Sequence, residues 1–139
     1  MSRFPAEWLE LREGFDHAAR SERLVLQLRE WLGPRECLRV VELGCGLGSG
    51  MRFVAPKLAG AQRWTLIDHD PDLLDLAKES PRAGVRVETR CLDLRDPSTL
   101  DLQVDLVSTQ ALLYLVSDAW LDGLSTWLVR EQLPILAAL

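Results

Sequence analysis

Glu42, Gly44, Gly46 and Gly48 alternate along Val41-Glu42-Leu43-Gly44-Cys45-Gly46-Leu47-Gly48-Ser49-Gly50, between a stretch that reads as a strand and one that reads as a helix. Glycines at 44, 46 and 48 permit positive φ and let backbone approach a ligand with no Cβ in the way. The following helix presents unpaired N–H groups and the positive end of its dipole. Asp68 stands 24 residues after Gly44, at the end of a second apolar run, where a carboxylate can accept both hydroxyls of a ribose. Asp93 follows a third run in Cys91-Leu92-Asp93-Leu94, where a carboxylate can accept from an adenine amino group. Taken singly, Asp68 or Asp93 is an ordinary solvated loop residue. Three such features at consecutive strand ends converge on one crevice and point to a nucleoside-type ligand.

These residues need strands that end side by side and a helix that starts directly after the glycines. Residues 5–32 read as helical. After Pro5, Trp8, Leu9 and Leu11 suggest a short first helix broken near Gly14. Ser21 can cap a second helix, whose Leu24, Leu28, Trp31 and Leu32 keep the three-to-four spacing until Gly33-Pro34 ends it. Strands follow at 38–43, 64–67, 85–91 and 104–108, with the start of a fifth at 133–139. Residues 51–58 are helical, with Pro56 a kink or late break. Pro71 opens a helix carrying Leu73, Leu74, Leu76 and Ala77. Asp118 can cap a helix bearing Trp120, Leu121, Leu124, Trp127 and Leu128. This alternation predicts an α/β fold with a mainly parallel sheet, helices on both faces, and a ligand beyond the carboxyl ends of the strands.

The composition sets bounds on function. The chain has 139 residues, and 16 basic against 21 acidic side chains give a net charge of −5. That suits one domain of roughly 100–200 residues. At 47% hydrophobic and 27% charged, the chain is expected to fold rather than stay disordered. No segment reaches the ~18 apolar residues of a membrane span. Arg3, Glu7 and Glu10 leave no visible signal peptide. Cys37, Cys45 and Cys91 are an odd number without paired metal-ligand spacing, so the expectation is a reducing cytoplasm and no metal site. The acidic balance argues against broad nucleic-acid binding.

Over roughly residues 36–139 the sequence resembles the class I S-adenosylmethionine-dependent methyltransferases. The family's Glu/Asp-x-Gly-x-Gly-x-Gly loop falls on Glu42, Gly44, Gly46 and Gly48, its second-strand acidic residue on Asp68, and its adenine-side acidic residue on Asp93. Its fourth-strand motif is similar to the segment from Val104 to Tyr114. A nicotinamide dinucleotide site competes, since Asp68 would serve its ribose equally well. That fingerprint needs glycines at the first, third and sixth positions, which here are Gly44, Gly46 and Ser49, and it gives Asp93 no role.

The resemblance implies a Rossmann-like, three-layer α/β/α domain with strand order 3-2-1-4-5 over residues 36–139, and an N-terminal helical lid over residues 1–35. Glu42 would order the turn near the methionine amino group of S-adenosylmethionine, and the backbone around Gly44, Cys45 and Gly46 would contact the methionine part. Asp68 would hold the ribose, with His69 and Asp70 beside it, and Leu92 and Asp93 would flank the adenine. Ser108 to Gln110 would lie along the methionine and sulfonium. Arg20 would reach the methionine carboxylate, with Arg12 and Arg23 as alternatives, and Asp105 would anchor the loop before the fourth strand. Trp8 reads as a core or lid-packing aromatic, His17 as a solvated histidine, and Cys45 as a small residue filling a tight turn rather than a reactive thiol.

The implied reaction is in-line attack by a substrate atom on the sulfonium methyl, giving S-adenosylhomocysteine, with no dedicated catalytic residue marked in the sequence. Ser108-Thr109-Gln110-Ala111 lacks the Asn/Asp-Pro-Pro-aromatic motif, no Pro-Cys pair is present, and no Asp/Asp/Asn set marks a magnesium site. A small-molecule acceptor remains by elimination. The family usually continues with two further strands, so the expectation includes a C-terminally incomplete fold. The alternative is then a non-catalytic cofactor-binding module or enzyme fragment, or a homodimer formed through an exposed sheet edge.

Overall fold

The computed structural model describes residues 3–79 and 81–139. Five strands form one parallel sheet: β1 (Cys37–Leu43), β2 (Ala61–Asp68), β3 (Val85–Cys91), β4 (Leu106–Gln110) and β5 (Ile135–Ala138), in the order β3-β2-β1-β4-β5. This is the expected order, and all pairings are parallel. Strand periodicity divides β1 between two cores. Val40 packs with Trp64, Leu66 and Leu106 beneath α2 (Glu22–Leu32), α3 (Ser49–Val54) and α4 (Pro71–Ala77). Val41 and Leu43 pack with Ile67 and Val107 against Trp120, Leu124 and Trp127 of α5 (Asp118–Glu131) on the other face. Helices therefore lie on both faces, the second carrying α5 alone.

Several local readings need correction. The first helix, α1 (Ala6–Ala19), runs straight through Gly14, because one glycine costs a helix only about 1 kcal/mol and does not end it. In α2 the fully buried residues are Val25 and Leu32, whereas Leu24 and Trp31 are exposed. Ser21 caps α2 as expected, its Oγ accepting the Leu24 N–H at 3.2 Å. The cap of α5 is Ser117, whose Oγ accepts the Trp120 N–H at 3.1 Å, and Asp118 is already helical. At Pro56 the chain passes from α3 into a 3-10 turn, Ala55–Lys57. The fourth strand starts two residues later than expected, because Asp105 serves as a clamp. Its carboxylate accepts the Arg39 N–H at 2.8 Å and pairs with the Arg39 and Arg35 guanidinium groups, while its own N–H donates to the Arg39 carbonyl. Burial pushes the Asp105 carboxyl up, but Arg39 outweighs it and holds it below the usual range.

No described helix is long and apolar enough to cross a membrane. The crossover from β3 to β4 contains only a 3-10 turn, Pro97–Thr99, in place of a helix.

Candidate functional site

The carboxyl ends of β1 and β2 are tied together by one carboxylate. Asp68 Oδ2 accepts the Gly46 N–H at 2.9 Å, and Oδ1 accepts the Asp70 N–H at 3.0 Å. His69 Nδ1 lies 3.3 Å from Oδ1. Asp70 in turn caps α4 by accepting the Asp72 N–H at 3.0 Å. Gly46 reaches Asp68 with φ at +53°, a conformation that L side chains rarely adopt. Across that loop, Cys45 is buried with its Sγ 3.5 Å from the Gly46 carbonyl, and burial pushes its thiol well above the usual range. It fills the turn and is not a reactive thiolate.

Beneath the loop lies Glu42, fully enclosed. Its Oε1 accepts the Ser108 hydroxyl at 3.4 Å, the Gln110 amide donates to Ser108 Oγ at 3.2 Å, and Glu42 Oε2 has no partner. Burial raises the Glu42 carboxyl to about 8, against the opposing influence of Arg20, Ser108 and Arg52. The consequence for stability has a definite sign. Between pH 4.5 and about 8 the native state keeps a proton that the unfolded chain has released, so this group makes stability fall as pH rises through that window and level off above it. In denaturant titrations of the ligand-free protein, Glu42→Gln is expected to remove that slope. The native sequence would lose on the order of a few kcal/mol relative to the variant between pH 5 and 8.5. An identical pH profile for the two proteins would contradict the burial argument.

Above the loop, α1 roofs a cleft of about 830 Å³, counting its open mouth. Leu9, Arg12, Asp16 and Arg20 descend from one side of the roof, Gly44 to Leu47 form the floor, and Asp68, His69 and Asp70 form one wall. Gln110, Leu112 and Tyr114 form the other. The roof is fastened to α3 by polar contacts. Glu13 pairs closely with Arg52, whose Nη1 donates to the Leu47 carbonyl at 2.6 Å, and His17 Nε2 lies 2.9 Å from the Ser49 carbonyl. Burial pushes the Glu13 carboxyl up, but Arg52 outweighs it and holds it below the usual range. Arg12 is engaged by Asp16 at 2.8 Å. Arg20, half-buried and lowered chiefly by burial, has only the Ser49 hydroxyl at 3.4 Å and no carboxylate partner among the described residues.

The structure thus brings Arg20, Gly44, Cys45, Gly46, Asp68, His69 and Gln110 to one cleft. Glu42 and Ser108 lie directly beneath it, and Gly48 backs the loop against Ala77. Leu92 borders a small recess shared with Gly44, Asp68 and His69. Asp93 is not brought in. Its exposed carboxylate turns outward to Arg95 at 3.1 Å and lines a separate shallow groove. His17 is fastened to Ser49 rather than solvated, and Trp8 is half-exposed rather than in the core. Sequence reasoning missed the cleft positions Leu9 and Asp16 and the role of Gly50. The spacing of Leu9, Arg12, Asp16 and Arg20 carried a helical-face signal that would have found the first two. Among the described residues no group of three or more His, Cys, Asp or Glu is placed to hold a metal ion.

A family profile described as a methyltransferase domain matches residues 40–130. The chain belongs to this methyltransferase domain family. No curated protein matches it in sequence. In fold, the methyltransferase domain is similar to an S-adenosylmethionine-dependent methyltransferase from Clostridium acetobutylicum, at 16% identity and a TM-score of 0.57, covering 90% of this chain and 50% of that one. It is similar also to one from Thiobacillus denitrificans solved with S-adenosyl-L-homocysteine, at 19% identity and a TM-score of 0.57, covering 98% and 56%. A third match, from Methanococcus maripaludis and provisionally named for the same activity, has 11% identity and a TM-score of 0.61, covering 99% and 67%. The methyltransferase domain therefore spans about half the length of the first of these chains.

Proposed function

We propose that this methyltransferase domain binds S-adenosylmethionine in the cleft beneath α1 and serves methyl transfer to a small-molecule acceptor. One observation carries the reading. Among the described residues, four buried side-chain polar atoms lack a partner; two of them, Gln110 Oε1 and His69 Nε2, belong to residues that line this cleft, and a third, Glu42 Oε2, lies enclosed beneath it. Unpaired buried polar atoms cost about 1–3 kcal/mol each, so their clustering marks a place where a ligand completes the hydrogen bonding. The chemistry of the set fits the cofactor. Gln110 offers an acceptor for an ammonium and Glu42, on losing its proton to the approaching charge, a second; Arg20 offers a guanidinium with no carboxylate partner among the described residues, and Asp68 retains lone pairs for ribose hydroxyls after its two backbone bonds. Leu92 borders the recess on the adenine side, and Asp93 would need to turn from Arg95 to join it.

When bound, the cofactor supplies an activated methyl group on a sulfonium leaving group. The residues of this chain then bind, orient and exclude water. Asp68 holds the nucleoside end at the close of β2, and the Gly44–Gly46 backbone lies along the methionine part. Arg20 and Glu42 hold the amino-acid end, and α1, as the lid, closes over both. The mouth beside Phe4, Tyr114 and Leu115 remains for a small acceptor. The free Cys37, Cys45 and Cys91 fit a reducing cytoplasm.

Titration calorimetry with S-adenosylmethionine and with S-adenosylhomocysteine is the direct test, with micromolar-range binding expected for both. Failure of the folded protein to bind either one overturns the reading. A second reading, a binding module or part of a longer enzyme, is favoured by the chain's covering only 50% and 56% of two solved methyltransferases. It predicts cofactor binding with no turnover of any acceptor until further chain or a partner is added. The open edge of β5 is then a natural place for a second copy to pair.

A further inference from the structure

Arg39, Arg63 and Arg86 form a row across the sheet. The parallel register sets Arg39 opposite Arg63 and Arg63 opposite Arg86. Neighbours are thus about 4.8 Å apart at the backbone, and all three side chains leave the same face. That face is the one that, further along β1, carries Val41 and Leu43 into the core beneath α5. Over the first half of β2 and β3 it is uncovered, and Arg63, Arg86, Glu88 and Arg90 are all exposed. The cause is topological. A parallel crossover ordinarily brings a helix onto the sheet, but the one between β3 and β4 holds only the turn Pro97–Thr99.

Like charges directly opposite one another on neighbouring strands are destabilising. Arg39 is answered by Asp105, and Arg90 by Glu88. Arg63 and Arg86 have no ion pair or side-chain hydrogen bond among the described residues. The row does not reflect a basic chain, because the net charge is −5. Nor does it belong to the methyl-transfer cleft, which lies at the opposite, carboxyl ends of the same strands.

We propose that this uncovered face docks an acidic helical segment of a partner protein, its carboxylates pairing with Arg63 and Arg86. A helix would supply the layer that the β3–β4 crossover omits. Acidic residues three or four apart on a helix have Cβ atoms about 5–6 Å apart, close to the backbone spacing of adjacent arginines in the row. The planar fork of arginine suits bidentate carboxylate binding, and its aliphatic stem gives the helix an apolar surface to rest on. A long polyanion fits less well. The row spans only three strands, Asp105 closes its β1 end, and the rest of the chain is acidic.

The test uses the full chain and a fluorescent, acetylated and amidated helical peptide bearing glutamates at i, i+4 and i+8, read by anisotropy. Saturable binding is expected at about 20 mM salt, weakening about tenfold or more by about 200 mM as screening shortens the reach of the charges. Arg63→Thr with Arg86→Thr should abolish it while leaving the melting temperature equal or higher, since the like-charge contact is relieved. Arg63→Lys with Arg86→Lys should retain part of it, and the glutamine version of the peptide should not bind. Absence of binding, or binding unaffected by the double threonine substitution, overturns the proposal. So does tighter binding of an oligothymidine strand that the same substitution removes, or a concentration-dependent dimer that the substitution dissolves. None of these outcomes depends on cofactor binding.

Discussion

Replacing Gly50 by alanine is expected to cripple cofactor binding while leaving the sheet folded. A Cβ at this position would overlap Glu42 Oε1 and approach Gln110 Cγ to 2.5 Å. Glu42 is fully enclosed between β1 and α3, so it cannot swing out into solvent to make room. The substitution must therefore displace Gln110, which lines the cleft, and Glu42, which lies beneath it, each with an unpaired oxygen. Loss of a hydrogen bond to a charged group is worth about 1.5–3 kcal/mol, so the affinity for S-adenosylhomocysteine should fall roughly ten- to hundredfold. Overpacking should cost a further ~1–3 kcal/mol of stability. Gly14→Ala is the matched control, because nothing lies within 4 Å of a Cβ there and the residue is helical. It should leave affinity unchanged and stabilise slightly, by about 0.5–1 kcal/mol. Calorimetry and urea titration of both variants decide the matter, and unchanged affinity in Gly50→Ala would remove Glu42 from the binding site.

Asp68→Ala should have the other large effect, on binding and stability together. The native carboxylate is nearly buried and receives two backbone N–H groups, one from the glycine loop and one from the start of α4. Alanine leaves both donors without an acceptor, at a cost of about 2–4 kcal/mol in stability, and frees the loop that forms the cleft floor. Cofactor binding is expected to become undetectable, so that S-adenosylhomocysteine no longer raises the melting temperature of the variant. Asp68→Asn, with one acceptor oxygen in place of two, should fall between alanine and the native sequence in both measurements. An alanine variant that is destabilised yet still binds at native affinity would reduce Asp68 to a structural tie.

Much of this was legible in the sequence because the deciding signals are local. The short apolar run of β1, closed by the glycine spacing from Gly44 to Gly48, and the strand-ending Asp68 give the parallel sheet, its order through the family resemblance, and the strand ends at which the cleft lies. What was not legible depends on which side chains meet across distance. Asp93 occupies the expected strand end, but its carboxylate is drawn outward by Arg95, two residues along. His17 looked like a surface residue because α1 is polar on several sides, and only its docking onto Ser49 makes it a fastener. Gly50 read as one more loop glycine, whereas its role is set by Glu42 and Gln110 on strands eight and sixty residues away. The cap of α5 moved from Asp118 to Ser117 because both residue types suit that position.

The roof helix α1 contains no buried residue and is attached through a few polar contacts to α3. Lifting it exposes little new apolar surface, so its opening should carry a small m-value, unlike unfolding of the sheet. Urea is therefore expected to melt the two cores well before it much weakens the attachment of α1, whereas salt acts directly on the Glu13–Arg52 pair. The attachment of α1 and the survival of the sheet should thus answer to different solution conditions.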